Sequence, residues 1–199
     1  MAFTPCTTAG LTANIATSCT EPRIKGYEQI GLIILKSDID LGASIVNATN
    51  PRIIDALSLK VGKKAAVIYN SRKTPLPFNG TQTTYNREEN QYDKVVQFYY
   101  EGVGGANSLG VVEPLKDGDY VVILERKQKY TAGAGSFQVI GWQNGLSAGN
   151  EGGAQVKDEE TGYWLITMAT QEPFAEIELN AGTYVLTKGE FDSLVADAK

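Results

Sequence analysis

SFQVIGW at residues 136–142 and GYWLITMAT at residues 162–170 are two aromatic, β-rich runs around a polar stretch, NGLSAGNEGGAQVKDEET, at residues 144–161. Each run carries apolar residues at successive positions. That pattern is expected of a strand with both faces occupied, inside the chain or against another subunit. Phe137, Val139, Trp142, Trp164, Ile166 and Met168 are therefore candidates for the core or a subunit interface. The stretch between the runs holds neither His nor Cys and follows no phosphate-cradle spacing, so the pair reads as packing material and not as the walls of a catalytic cleft.

Upstream, YVVILERK at 120–127 is the most hydrophobic strand candidate and follows the turn Asp117-Gly118-Asp119. YDKVVQFYY at 92–100 is a strand by its aromatic and β-branched content, which adds Phe98, Tyr99 and Tyr100 to the core or interface set. Ile30 to Leu35 and Lys63 to Tyr69 are further strands. Residues 174–179 alternate apolar and acidic side chains as a half-exposed strand does. SRKTPLPFNGT at 71–81 reads as a loop or hairpin tip. A short helix or single turn is expected to open at Asn50-Pro51 with Ile53, Ile54 and Leu57 on one side, a short helix from Ala106 to Leu115 limited by Pro114, and a terminal helix opened by a Thr187/Glu190 capping box. Residues 1–26, rich in Thr, Ala, Ser and Pro, read as an extended arm ahead of a single β-rich domain at 27–199.

The chain has 199 residues, enough to bury roughly 70% of its unfolded surface in one domain. Its 21 Gly and 10 Tyr suit strands joined by turns, so a mainly β fold is expected. A net charge of −5 argues against general nucleic-acid binding, which draws on Lys and Arg clusters, yet it suits a wall past which DNA slides without sticking. No stretch reaches the roughly 18 apolar residues of a membrane span. MAFTPCTTAGLT lacks the basic start and apolar core of a secretory signal, so synthesis in a cytoplasm is expected.

The chain contains no His, which removes Ser-His-Asp, Cys-His and histidine-zinc chemistry. Asp158, Glu159 and Glu160 read as a solvated patch and not as a glycosidase pair. Asp38/Asp40 and Asp117/Asp119 lack the continuation of a calcium loop. Gly102, Gly104 and Gly105, like Gly133 and Gly135, miss the dinucleotide spacing and read as turns. The sequons at Asn47 and Asn79 are discounted without a signal for export. Cys6 and Cys19 fit no metal or redox spacing; two free thiols and a disulfide closing the arm both remain open. No enzymatic activity, cofactor or metal is expected. Stacking of Trp142 and Trp164 on sugars is an alternative that needs exposed rings.

The order of a polar hairpin, YVVILERK, FQVIGWQNGL and DEETGYWLITMATQEP, over roughly residues 83–180, resembles the tail tube proteins of tailed bacteriophages; CTEPRIKGYEQIGLIILKSDID resembles the start of such proteins less closely. The resemblance implies an antiparallel β-sandwich or incomplete barrel with a short flanking helix and a C-terminal helix. It also implies a homo-oligomer of hexameric rings, stacked into a tube that contacts other tail proteins in the virion, with DNA as passing cargo. Another virion protein, a capsid decoration or head-to-tail adaptor, shares this profile. Under the tube reading Glu88, Glu89, Asp93 and Glu101 are candidates for the lumen lining, and the arm at 1–26 and the polar loop at 70–93 for contacts with neighbouring subunits.

Overall fold

The computed structural model of the chain describes residues 24–70, 76–102, 104–129 and 132–195. Cys6, Cys19 and nearly all of the expected arm lie outside them, as do residues 71–75 of the expected 71–81 loop. The fold is mainly β and sandwich-like, in two sheets, with no closed barrel.

The larger sheet holds β1 (Tyr27–Leu35), β2 (Ile45–Val46), β3 (Ile53–Ala56), β4 (Ala66–Tyr69), β7 (Tyr120–Arg126), β8 (Phe137–Ile140) and β11 (Ile177–Leu179) in the order β2-β3-β11-β8-β7-β1-β4. The smaller sheet holds β5 (Gln82–Asn86), β6 (Gln91–Tyr100), β9 (Ala154–Lys157) and β10 (Trp164–Glu172) in the order β5-β6-β10-β9. Pairing is antiparallel except between β3 and β11, which run parallel.

The central strands explain the successive apolar residues. Val121, Val122, Ile123 and Leu124 of β7 are all fully buried because the larger sheet is covered on both faces. Val121 and Ile123 join Leu32, Ile34, Phe137, Val139 and Trp142 in one core, with Phe191 and Leu194 near the C-terminus; Val122 and Leu124 join Ile140, Val96, Phe98, Ile166 and Met168 in a second core between the sheets. Each such side chain contributes roughly 1.5–3 kcal/mol on burial. Gly31 makes the second core possible, since a Cβ there would stand 2.7 Å from Leu124 and 2.8 Å from the Phe78 ring.

The two opening runs do not pair. β8 lies between β7 and β11 in the larger sheet, whereas β10 lies between β6 and β9 in the smaller one, so the chain crosses the sandwich between them. The crossing turns at Gly141, whose φ of +88° and a 2.4 Å approach of a Cβ to the Tyr120 carbonyl exclude any side chain. β8 is buried on both sides, as its pattern predicts, whereas β10 packs chiefly through alternate residues. The 144–161 stretch is less loop-like than its composition implies: Leu146, Ser147 and Ala148 are buried, and β9 lies inside it.

The C-terminal helix and the middle helical segment are present with shifted details, and of the two forms expected after Asn50 the turn is the one found. Asn50-Pro51 opens no helix. The Asn47 side chain accepts from the amides of Thr49 and Asn50, and the Asn50 side chain from that of Arg52, which ties the segment into a turn; β-branched Ile53 and Ile54 then enter β3. The C-terminal helix, Tyr184–Ser193, starts one turn before the expected box, with Thr183 as cap accepting from the Leu186 amide. Thr187 is buried and donates to the Thr183 carbonyl at 2.7 Å. The middle helical segment consists of Gly105–Asn107, a π turn at Ser108–Val112 and Glu113–Asp117. Pro114 does not end it, because it opens the last turn after the π turn has already broken the regular ladder. The 70–93 segment likewise contains a strand, β5, and the expected 174–179 strand shortens to Ile177–Leu179.

Candidate assembly surfaces and lumen face

Register assigns every residue of the smaller sheet to a face, because residues directly opposite across a ladder point the same way. Lys94, Val96 and Phe98 of β6 stand opposite Thr170, Met168 and Ile166 of β10, facing the inter-sheet core. The outward face then carries Gln82, Thr84 and Asn86 of β5, Gln91, Asp93, Val95, Gln97 and Tyr99 of β6, Leu165, Thr167, buried Ala169 and Gln171 of β10, and Ala154 and Val156 of β9. No Lys or Arg is among them. Gln97 donates to Thr167 at 3.2 Å and Gln171 to Asp93 at 3.0 Å, so neighbouring strands hold one another's amides across this face.

One end of the face is acidic. Glu88, Glu89 and Asp93 line a groove of about 620 Å³ together with Glu151, Asn86 and Asn144. Gln171 also donates to Glu89. Glu101, the fourth lumen candidate, follows the far end of β6 and lines a different groove, of about 740 Å³, beside β4. The ten residues of β6 separate it from Glu88 and Glu89 by roughly 30 Å at about 3.3 Å per residue.

Phe98, Phe137, Val139, Trp142, Ile166 and Met168 are buried; Tyr100 and Trp164 are partly buried and pack against the inter-sheet core; Tyr99 is half-buried on the outward face. The sugar-stacking alternative thereby loses Trp142. Among the described residues no group of three or more His, Cys, Asp or Glu is placed to hold a metal ion, and no helix is long and apolar enough to cross a membrane.

Two polar clusters were not singled out from the sequence. Lys94 and Glu172, both fully buried, form an ion pair of 2.6 Å, and the second Glu172 oxygen accepts from the Gln143 amide at 2.9 Å. The pair ties β6 to β10 and to the turn after β8. The other cluster surrounds buried Glu125, which accepts from Lys129 at 2.6 Å and from the Tyr184 hydroxyl at 2.7 Å, with Lys188 at 3.5 Å. It binds the C-terminal helix to β7.

Burial pushes the Glu125 carboxyl up, but hydrogen bonds from Lys129 and Tyr184, with the charges of Lys129 and Lys188, outweigh burial and hold it below its ordinary value. Burial, the hydrogen bond to Glu125 and its charge push Tyr184 up to about 12 from 10.0. A lowered carboxyl stabilises the fold above its unfolded value and loses that contribution as pH falls through the folded one; a raised phenol contributes fully below pH 10.0 and loses its contribution as pH rises to about 12. Tyr184→Phe is therefore expected to flatten the alkaline loss of stability between those two values and, by removing one of the bonds that lower Glu125, to shrink the loss of stability on acidification as well. Denaturation midpoints of both proteins across pH check this.

Fold and surfaces together define a sandwich-like β protein whose outer strands β2, β4, β5 and β9 each have a sheet partner on one side only among the described residues. No family model, no curated protein and no solved structure matches the chain.

Proposed function

We propose that this chain is the structural subunit of a phage tail tube, or of the tube of a related injection machine, assembling as hexameric rings that stack into a conduit. The observation that carries the reading is the outward face of the smaller sheet: its strands mix polar and apolar side chains without a Lys or Arg, and its Glu88, Glu89 and Asp93 end is net acidic, with Arg87 the one cation of the connecting turn. A polyanion gains affinity by replacing its counterions with protein cations. A wall whose strands offer none gives DNA little to hold, and one whose carboxylates outnumber its cations repels it. The only Lys of β6, Lys94, is turned inward and already paired with Glu172.

The free sheet edges support the same reading. Open edges invite pairing with other chains, and a ring consumes them by joining neighbouring sheets. Exposed apolar side chains on the outer strands, among them Ile45, Val67, Tyr69 and Val156, suit contacts that are buried on assembly. In this role the chain performs no catalysis and uses no cofactor. Its place is the virion tail, after synthesis and assembly in the host cytoplasm. Negative-stain imaging of the purified full-length protein tests the proposal: rings with a central hole, or stacks of them, are expected, and a strict monomer, or a trimer that coats capsids, would overturn it.

A further inference from the structure

We infer that β4 of one copy pairs antiparallel with β9 of the next, so that the larger sheet of each subunit continues into the smaller sheet of its neighbour. The inference rests on the reading of this chain as a self-assembling subunit and names the strands that join. β4 ends the larger sheet beyond β1, and β9 ends the smaller sheet beyond β10. Neither strand carries a proline, and β4 carries no charge; Lys157, at the end of β9 and opposite Trp164, is the one charged residue of the two strands. Both expose apolar side chains: Val67 and Tyr69 are 41% and 61% exposed on β4, and Val156 is 57% exposed on β9.

The flanks supply the direction. Lys60, Lys63 and Lys64 precede β4, whereas Asp158, Glu159 and Glu160 follow β9. Antiparallel pairing sets the start of one strand against the end of the other, so the lysines of one copy meet the carboxylates of the next. A parallel arrangement sets the basic start of β4 against the start of β9 and leaves both charge groups without that complement. With Val67 opposite Val156, Tyr69 falls opposite Ala154, Lys64 opposite Glu159 and Lys63 opposite Glu160, so one register satisfies the apolar and the charged pairs together. Within its own chain Lys63 has Asp38 at 3.1 Å and Lys157 has Glu159 at 2.6 Å, each pair with one exposed and one part-buried partner, so that solvent screens both contacts.

The other outer strands fit less well. β2 has only two residues. β5 presents Gln82, Thr83 and Thr84, and the acidic tip that follows it also carries Arg87.

The test is a disulfide between copies. Val67→Cys and Val156→Cys are placed together in the full chain with Cys6→Ser and Cys19→Ser, and the assembled protein is oxidised with diamide; directly opposed antiparallel residues lie within disulfide reach. A ladder of covalently linked copies is expected, and none from a control pairing Val67→Cys with Thr84→Cys of β5. In a second arm, Glu159→Lys/Glu160→Lys is expected to raise the concentration for half-assembly about tenfold, with recovery on mixing with Lys63→Glu/Lys64→Glu chains. Wild-type rings combined with an unlinked cysteine pair would overturn the β4 to β9 contact and leave the tube reading standing. A wild-type chain that never assembles would overturn both.

Discussion

Glu172→Leu is expected to destabilise the fold by about 3–5 kcal/mol, because it leaves the Lys94 ammonium buried without its counter-charge. Lys94 and Glu172 are each fully buried and 2.6 Å apart, so water does not replace the lost partner. The converse experiment separates the worth of the pair from the cost of breaking it. Lys94→Met combined with Glu172→Leu is expected to recover most of the loss, since well-packed apolar residues commonly match a buried ion pair in stability. A remainder of about 1 kcal/mol is expected from the Gln143 amide, which loses its acceptor in both variants. Urea denaturation of wild type, both single variants and the double variant checks the cycle; a double variant as unstable as the worse single one would refute it.

Phe137→Ala is expected to cost about 3–5 kcal/mol and to loosen the C-terminal helix before the rest of the fold. Phe137 is fully buried, stacked on Tyr184 at 5.8 Å between ring centroids and tilted against Phe191 at 5.2 Å, so one ring anchors two points of that helix to the larger sheet. Removing it opens a cavity where the helix docks. Hydrogen exchange should then show the amides of residues 184–193 losing protection more than those of β7. Val185→Ala, on the same helix but 76% exposed, is expected to stay within about 0.5 kcal/mol of wild type. Equal loss from both variants would contradict the packing described.

These two sites show how far the sequence could be read. Strands whose apolar residues are continuous, such as Val121 to Leu124, were legible because both sheet faces are covered and burial overrides alternation. Lys94 was legible in principle: it shares the alternating face of Val96 and Phe98, a position where a charge requires a partner. Its partner lies 78 positions away, a distance that no local pattern spans.

Local pattern and structure part where two local rules compete. Asn50-Pro51 satisfies a helix start, yet asparagine side chains also close turns, and the strand preference of Ile53 and Ile54 decided between them. Thr187 and Glu190 satisfy a capping box, but Thr183 lies one turn earlier and caps the helix, leaving Thr187 to be buried. β9 was hidden in a polar, glycine-rich stretch because its four residues become a strand only through pairing with β10. Of the four acidic lumen candidates, the fold brings Glu88, Glu89 and Asp93 to one groove and puts Glu101 at the far end of β6, a separation that depends on where the strand ends.

A cryo-electron microscopy reconstruction of the assembled full-length protein tests the central claim most directly. The account predicts a hollow ring whose channel is lined by the outward face of the smaller sheet, with Gln97, Thr167 and Gln171 facing the lumen and Glu88, Glu89 and Asp93 at its rim. A ring whose channel is lined instead by the C-terminal helix, or a protein that remains monomeric at every concentration, would contradict it.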